Sequence, residues 1–249
     1  MHMTLEEAIQ LANNGDQEAM FQLGQYYWKQ EKQYQEAQNW YLKGAEAGDV
    51  RCMALAALSG NVLAHALRKT VGAPAAAECV RDLETCLSWA AQARANGGKC
   101  DSASIETELG VCCFLAALNE ENEERSTAYL LRARELLRAN HPAQDPEARL
   151  YLAFALDRCS RLDGGMRDLD SRLYVDLLTD ICENHRTEVK DGAVACYYLG
   201  AAYLMGNGCK KDDNKAYQWM ATAQQMGFDC QEMLRGFKKK LMGGYVYKG

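Results

Sequence analysis

No sustained period-two alternation of apolar and polar residues runs through this chain, so no sheet is expected. Its apolar positions fall instead in alanine-rich stretches such as Ala54-Leu55-Ala56-Ala57 and Trp89-Ala90-Ala91-Gln92-Ala93, which strongly favour helix. Only 3 prolines are present, at 74, 142 and 146, so long helices are uninterrupted. Gly15, Gly48, Gly97 and Gly227 each stand where a helix must stop, because glycine accepts the left-handed conformation of a C-terminal cap. Asp101-Ser102 and Asp145-Pro146-Glu147 read as helix starts, the second with proline in the first turn.

The helices repeat. Ala19-x-x-x-Leu23-Gly24-x-x-Tyr27, then Ala37-x-x-Trp40, returns as Ala195-x-x-x-Leu199-Gly200-x-x-Tyr203, then Ala216-x-x-Trp219, 176 to 179 residues later. Positions equivalent to Gly24 fall at Ala57, Gly110, Ala153 and Gly200, 33 to 53 residues apart. A spacing near 33 to 47 is one helix–turn–helix unit of the tetratricopeptide size class, and the variation places insertions between helices. Five pairs result: 17–30 with 34–47, 50–69 with 75–96, 102–118 with 124–140, 145–158 with 170–184, and 192–205 with 213–226. A lone helix over 4–14 and a terminal helix over 230–241 cap the array, as solenoids require. The expected fold is all-α: a single domain over 1–249, a right-handed superhelical solenoid of antiparallel helix pairs. Small residues explain the repeat. Gly24 and Gly200 on first helices, and Gly44, Ala93 and Ala223 on second helices, let neighbouring helices approach closely. Trp40, Trp89 and Trp219 hold one equivalent second-helix position and fill the space between adjacent pairs.

These residues resemble the Sel-one-like repeat (SLR), a relative of the tetratricopeptide repeat. The fifth pair carries the resemblance almost throughout, with Leu199, Gly200, Tyr203, Gly206, Gly208, Cys209 in a valine slot, Asp212, Lys215, Ala216, Trp219 and Gly227. The first pair matches but lacks the Gly-x-Gly turn, the second keeps its second half, and the third and fourth match weakly. The resemblance implies an adaptor that binds another protein on a curved helical surface. It also implies two alternatives: an inhibitor that neutralises a toxin by binding, as small bacterial SLR proteins do, and an exported, disulfide-stapled cysteine-rich SLR protein with ligand-binding or hydrolase activity.

Charge and motifs narrow the choice. Net charge is −6, which argues against a broad nucleic-acid footprint. No 18-residue apolar run is seen, so no membrane span is expected. Met1-His2-Met3-Thr4-Leu5-Glu6-Glu7 has neither a basic start nor an apolar h-region, so no secretory signal is expected and the expected location is cytoplasmic. The 11 cysteines include no Cys-x2-Cys pair, and Cys52 and Cys86 align with alanines of other repeats, so they read as small buried hydrophobes rather than bridges or metal ligands. None of His2, His65, His141 and His185 forms a metal motif, and no hydrolase, phosphate-loop or dinucleotide fingerprint is present. No catalytic residue, metal or cofactor is expected.

A protein partner is therefore expected, met by a monomer or weak homo-oligomer. First helices line the inner face of such arrays, so their outward positions are the candidate contacts: Gln22, Tyr26, Lys29, Arg149, Tyr198 and Ala202. Tyr26 and Tyr198 can instead pack on a neighbouring helix. Arg158, Arg161, Arg167 and Arg172, interleaved with aspartates, mark an insertion over 159–170, and a second insertion surrounds 70–76. Insertions of this kind lie along one rim and carry binding specificity.

Overall fold

The computed structural model describes residues 4–141, 145–162, 168–241 and 243–249. Helix accounts for 78% of it, so the fold is all-α. The chain divides into two compact units, residues 1–129 and 130–249.

The first unit opens with α1 (Leu5–Asn13), α2 (Gln17–Tyr26) and α3 (Tyr34–Glu46). Thr4 and Glu7 close a reciprocal capping box at the start of α1. The two-residue signal Gly15-Asp16 ends α1 and begins α2: Gly15 takes φ 95°, and the Asp16 carboxylate accepts from the Ala19 N–H at 2.8 Å. Gly48-Asp49 does the same between α3 and α4 (Val50–Val71), Asp49 accepting from the N–H groups of Arg51 and Cys52. Each such cap stabilises its helix by about 1 kcal/mol. A short 3-10 turn over Ala73–Ala75 leads into α5 (Ala76–Ala95), and α6 (Ala103–Asn119) follows. Each helix from α1 to α5 packs on its successor, and α4 also touches α6. Trp40 is buried against Ala8, Ala12, Met20 and Leu23, which joins the α1 cap to the first pair.

By length and composition α4 is the one described helix that could cross a membrane, with a mean hydropathy of 1.4. This corrects the expectation that no such stretch exists. The structure uses it as a central core helix: Cys52, Met53, Ala56, Ala57, Gly60 and Ala64 are buried between α3 and α5.

The division between the units falls inside α7 (Glu123–Asn140). The second unit continues with α8 (Pro146–Leu162), α9 (Asp168–Asp180), α10 (Gly192–Met205) and α11 (Asp213–Gln225). Helix α8 runs to Leu162, four residues past its expected end at 158, so Arg158 and Arg161 stand on its last turns and not in a loop. Wider π-helical turns follow α2 at Tyr27–Glu31 and α9 at Ile181–His185. In the Gly206-Asn207-Gly208 turn both glycines take positive φ, and a β-carbon on Gly208 would meet the Ser171 carbonyl oxygen at 2.0 Å. The turn is therefore a structural device that seats α10–α11 on α9.

The C-terminal helix expected over 230–241 is shorter. Helix α12 covers Gln231–Arg235, and an antiparallel hairpin follows: β1 (Phe237–Lys239) with β2 (Tyr245–Tyr247), Phe237 opposite Tyr247. Tyr245 stacks on Tyr217 of α11 with ring centroids 3.6 Å apart, and Tyr247 meets Phe237 edge-on. Aromatic packing on α11 thus overrides helix continuation, and Gly236 leaves the room, since a β-carbon there would lie 2.4 Å from the Tyr247 ring. Strands of three residues are too short to register as period-two alternation.

The glycines of the repeat sit at close helix contacts. A β-carbon at Gly24 would meet the Tyr41 ring at 2.4 Å, one at Gly44 the Cys52 sulfur at 2.5 Å, and one at Gly200 the Met220 side chain at 2.7 Å. Gly200→Ala should lower stability by about 1–3 kcal/mol through this overpacking. Urea unfolding should show a lower midpoint with an unchanged slope; an unchanged midpoint would show that the contact has slack.

Candidate functional site

On the first helix of pair one, Gln22 and Tyr26 share a hollow of about 240 Å³ with Thr4, Leu5, Ala8 and Leu23. Gln22 is exposed and donates to Glu18 at 2.7 Å, and the half-buried Tyr26 hydroxyl donates to Glu31 at 2.6 Å. That hydrogen bond pushes the Tyr26 hydroxyl pKa up. Lys29 lies exposed on the π-helical turn after α2, bonded to Gln25. The three residues stay on one side of pair one.

The candidates of the second unit are mostly committed to internal contacts. Arg149 is half-buried and paired with Asp180 at 2.6 Å, which ties α8 to α9. Arg161 pairs with Asp157 one turn back at 2.9 Å. Tyr198 packs on Phe154 and Tyr197, with ring centroids 5.7 and 5.9 Å away. Ala202 is buried and offers no contact surface, a correction to its expected role. Arg158 is exposed and forms no ion pair among the described residues. Arg167 lies outside the described residues.

Trp89 and Trp219 depart from the expected filling role. Both are half-buried, each on the wall of an open hollow. Trp219 borders about 390 Å³ with Glu183, Arg186, Tyr203 and Lys215, and the Lys215 ammonium lies 4.9 Å from the Tyr203 ring. Trp89 borders a larger cleft of about 540 Å³ between α3, α4 and α5, which also meets Leu42, Leu63, Leu67, Glu78 and Asp82. Sequence reading missed this cleft. Its signal was the length difference between the first helix of pair two and the second helix of pair one.

A second feature missed in the sequence is a buried charge cluster. Glu108 on α6 accepts from the Arg68 guanidinium and lies 2.8 Å from His65 Nδ1, both on α4. Arg68 is 5% and Glu108 8% exposed, so both charges have left water. Burial pushes the Glu108 carboxyl pKa up, but the hydrogen bond and charge of Arg68, with help from His65, more than offset it and hold the carboxyl below its ordinary value. The signal was a charged Arg68 inside an apolar helix, a turn after His65.

Ten of the 11 cysteines are buried, and Cys209 is half-buried. Burial pushes the thiols of Cys52 and Cys86 up to about 12, so neither is a thiolate at neutral pH. Four thiols lie near one another in two pairs, Cys79 with Cys112 and Cys182 with Cys196, close enough for each pair to influence its own ionisation.

An all-α protein of repeated helix pairs is thus defined, with shallow hollows between helices. The family model of the Sel1 repeat matches residues 17–49 and 193–228, so the chain carries Sel1 repeats at both places. A Sel1 repeat protein from Oxalobacter formigenes is 18% identical with a TM-score of 0.42, over 93% of this chain and 58% of that one. A protective antigen present in uropathogenic Escherichia coli strains and displaying an SLR fold is 16% identical with a TM-score of 0.38, over 90% of this chain and 49% of that one. The chain spans about half the length of these solved structures. No curated protein matches it.

Glu108→Gln should destabilise the chain by about 3–5 kcal/mol, because the buried Arg68 guanidinium loses the carboxylate charge that faces it across α4 and α6. A carboxyl lowered by folding adds stability that is fully present above the ordinary glutamate value of 4.5 and is lost as pH falls through its folded value. The gap between wild type and variant should therefore close below that pH; a pH-independent gap would show that Glu108 acts by packing alone.

Proposed function

We propose that this chain is a non-catalytic protein-binding scaffold of the cytoplasm, an adaptor that holds its partner on the faces presented by the first helices of its pairs. Sel1 repeats generally mediate protein–protein interaction. The observation that carries the reading here is their presence at 17–49, where the same repeat leaves Gln22 and Lys29 exposed and Tyr26 half-exposed beside a hollow. An inhibitor of a toxin is the same binding with a toxin as partner, and a net charge of −6 suits a basic one. Buried thiols of raised pKa agree with a reducing compartment.

Photo-crosslinking residues placed at Gln22, Lys29 and Arg158 should each capture one and the same protein from native lysate, while a probe at Asn39 on the second helix of pair one should not. Capture only at Asn39 would move the surface to second helices, and no capture at any position would remove the scaffold reading.

The thiol contacts support a second reading, an exported chain stapled by bridges. Joining Cys79 to Cys112 and Cys182 to Cys196 would tie α5 to α6 and the turn after α9 to α10. Thiol titration in denaturant without reductant separates the two: eleven thiols support the cytoplasmic scaffold, and seven support two bridges.

A further inference from the structure

The cleft beside Trp89 originates in a mismatch of helix lengths. Helix α3 has 13 residues and α4 has 22, roughly 20 Å against 33 Å. The tight turn at Gly48 starts α4 beside the end of α3, so the two helices run back along each other, and α3 gives out near the middle of α4. Helix α5, with 20 residues, continues along nearly the whole of α4. On the side that α3 leaves, the second half of α4 is flanked by α5, while its His65 and Arg68 meet α6. Leu63 and Leu67 on that face, Leu42 at its α3 border and Trp89 on α5 are only half-buried. The volume of about 540 Å³ lies in the ordinary range of binding sites, about 300–1,000 Å³.

The α5 side of this cleft also carries acidic groups. Glu78 and Asp82 stand one turn apart on α5, with Thr85 in the next turn. Among the described residues neither carboxylate forms an ion pair or side-chain hydrogen bond, and no lysine or arginine lines the cleft. Packing about the base of Asp82, then the like charge of Glu78, push its carboxyl above the usual range, against a smaller opposing effect of Arg81. Arg81 flanks Asp82 on α5 but does not line the cleft, and two other cations of this unit are engaged elsewhere. Arg68 is buried against Glu108, and the Lys43 ammonium lies 4.1 Å over the Trp40 ring. Two carboxylates beside an apolar floor, with no lysine or arginine in the lining, complement a segment that is apolar on one side and basic on the other.

We infer that this cleft docks a basic amphipathic segment of the protein partner, with apolar side chains over Leu63, Leu67 and Trp89 and a lysine or arginine against Glu78 and Asp82. The inference rests on the protein-binding reading and adds to it a place and a partner chemistry. The docking follows the mode in which one helix lays its apolar face in a groove. It also gives the insertion around 70–76 a role, since that insertion lengthens α4 and α5 past their neighbour.

The test is titration of the full chain with a leucine–lysine amphipathic peptide, read by Trp89 fluorescence with Trp89→Phe as the blank. The peptide should bind at one site and weaken as salt rises. The double variant Glu78→Gln/Asp82→Asn should weaken it by about tenfold. Thr85→Lys, which sets the chain's own ammonium in the cleft, should do the same, with both variants melting as wild type does. Unchanged affinity in both variants, or equal binding of the same peptide with glutamate for lysine, would overturn the inference. So would self-association of the chain that is lost on Lys238→Glu/Lys239→Glu, because the occupant would then be a second copy. The outcome is separable from the scaffold reading. A cross-linked partner that survives both cleft variants leaves that reading intact and removes the cleft, whereas failure to cross-link any partner leaves the peptide titration to decide the cleft alone.

Discussion

Helices in this chain approach one another until a glycine on one meets a side chain on the next, and the remaining structure depends on that distance. Gly24 faces Tyr41, Gly44 and Gly60 face the sulfurs of Cys52 and Cys86, and Gly200 faces Met220. At each of these positions even a methyl group would have to displace its neighbour. Cysteine suits two of the contacts because it is small, apolar and polarisable. Close-set helices also fix where overlap ends. The cleft beside Trp89 exists because α4 and α5 are held tightly together over a length that α3 does not share.

Much of this was legible in the sequence because the relevant signals are local. A glycine followed by aspartate ends one helix and caps the next at 15–16 and 48–49, and those bounds fall where the pattern places them. The glycine of each repeat identified the helix contacts for the same reason: only absence of a side chain permits them. The C-terminal hairpin was not legible. Its strands are three residues long and owe their existence to Tyr217, which is close in space and 28 residues from Tyr245 in sequence.

The surface was harder to read than the fold. Position in the repeat separates outward from inward residues, but it does not say which outward residues are already occupied. Arg149 looks available by register and is held by Asp180, and Tyr198 is held by its aromatic neighbours. Arg68 and Glu108 were missed because their pairing joins α4 and α6, 40 residues apart, across apolar surroundings. The pair is costly to break and contributes less than its Coulomb attraction suggests, since both ions were first taken out of water. The cleft emerges only when two helix lengths are compared with the turn that aligns them. Register thus finds the face, and helix length finds the recess within it.

The role of the small residues is tested most directly by a double-mutant cycle at Gly60 and Cys86. A β-carbon at Gly60 would lie 2.5 Å from the Cys86 sulfur, so Cys86→Ala vacates the space that Gly60→Ala needs. Each single variant should destabilise the chain, and the double variant should be more stable than their sum by about 1 kcal/mol or more. Additive losses, within roughly 0.5 kcal/mol, would contradict the account, because the helix spacing would then be set by something other than this contact.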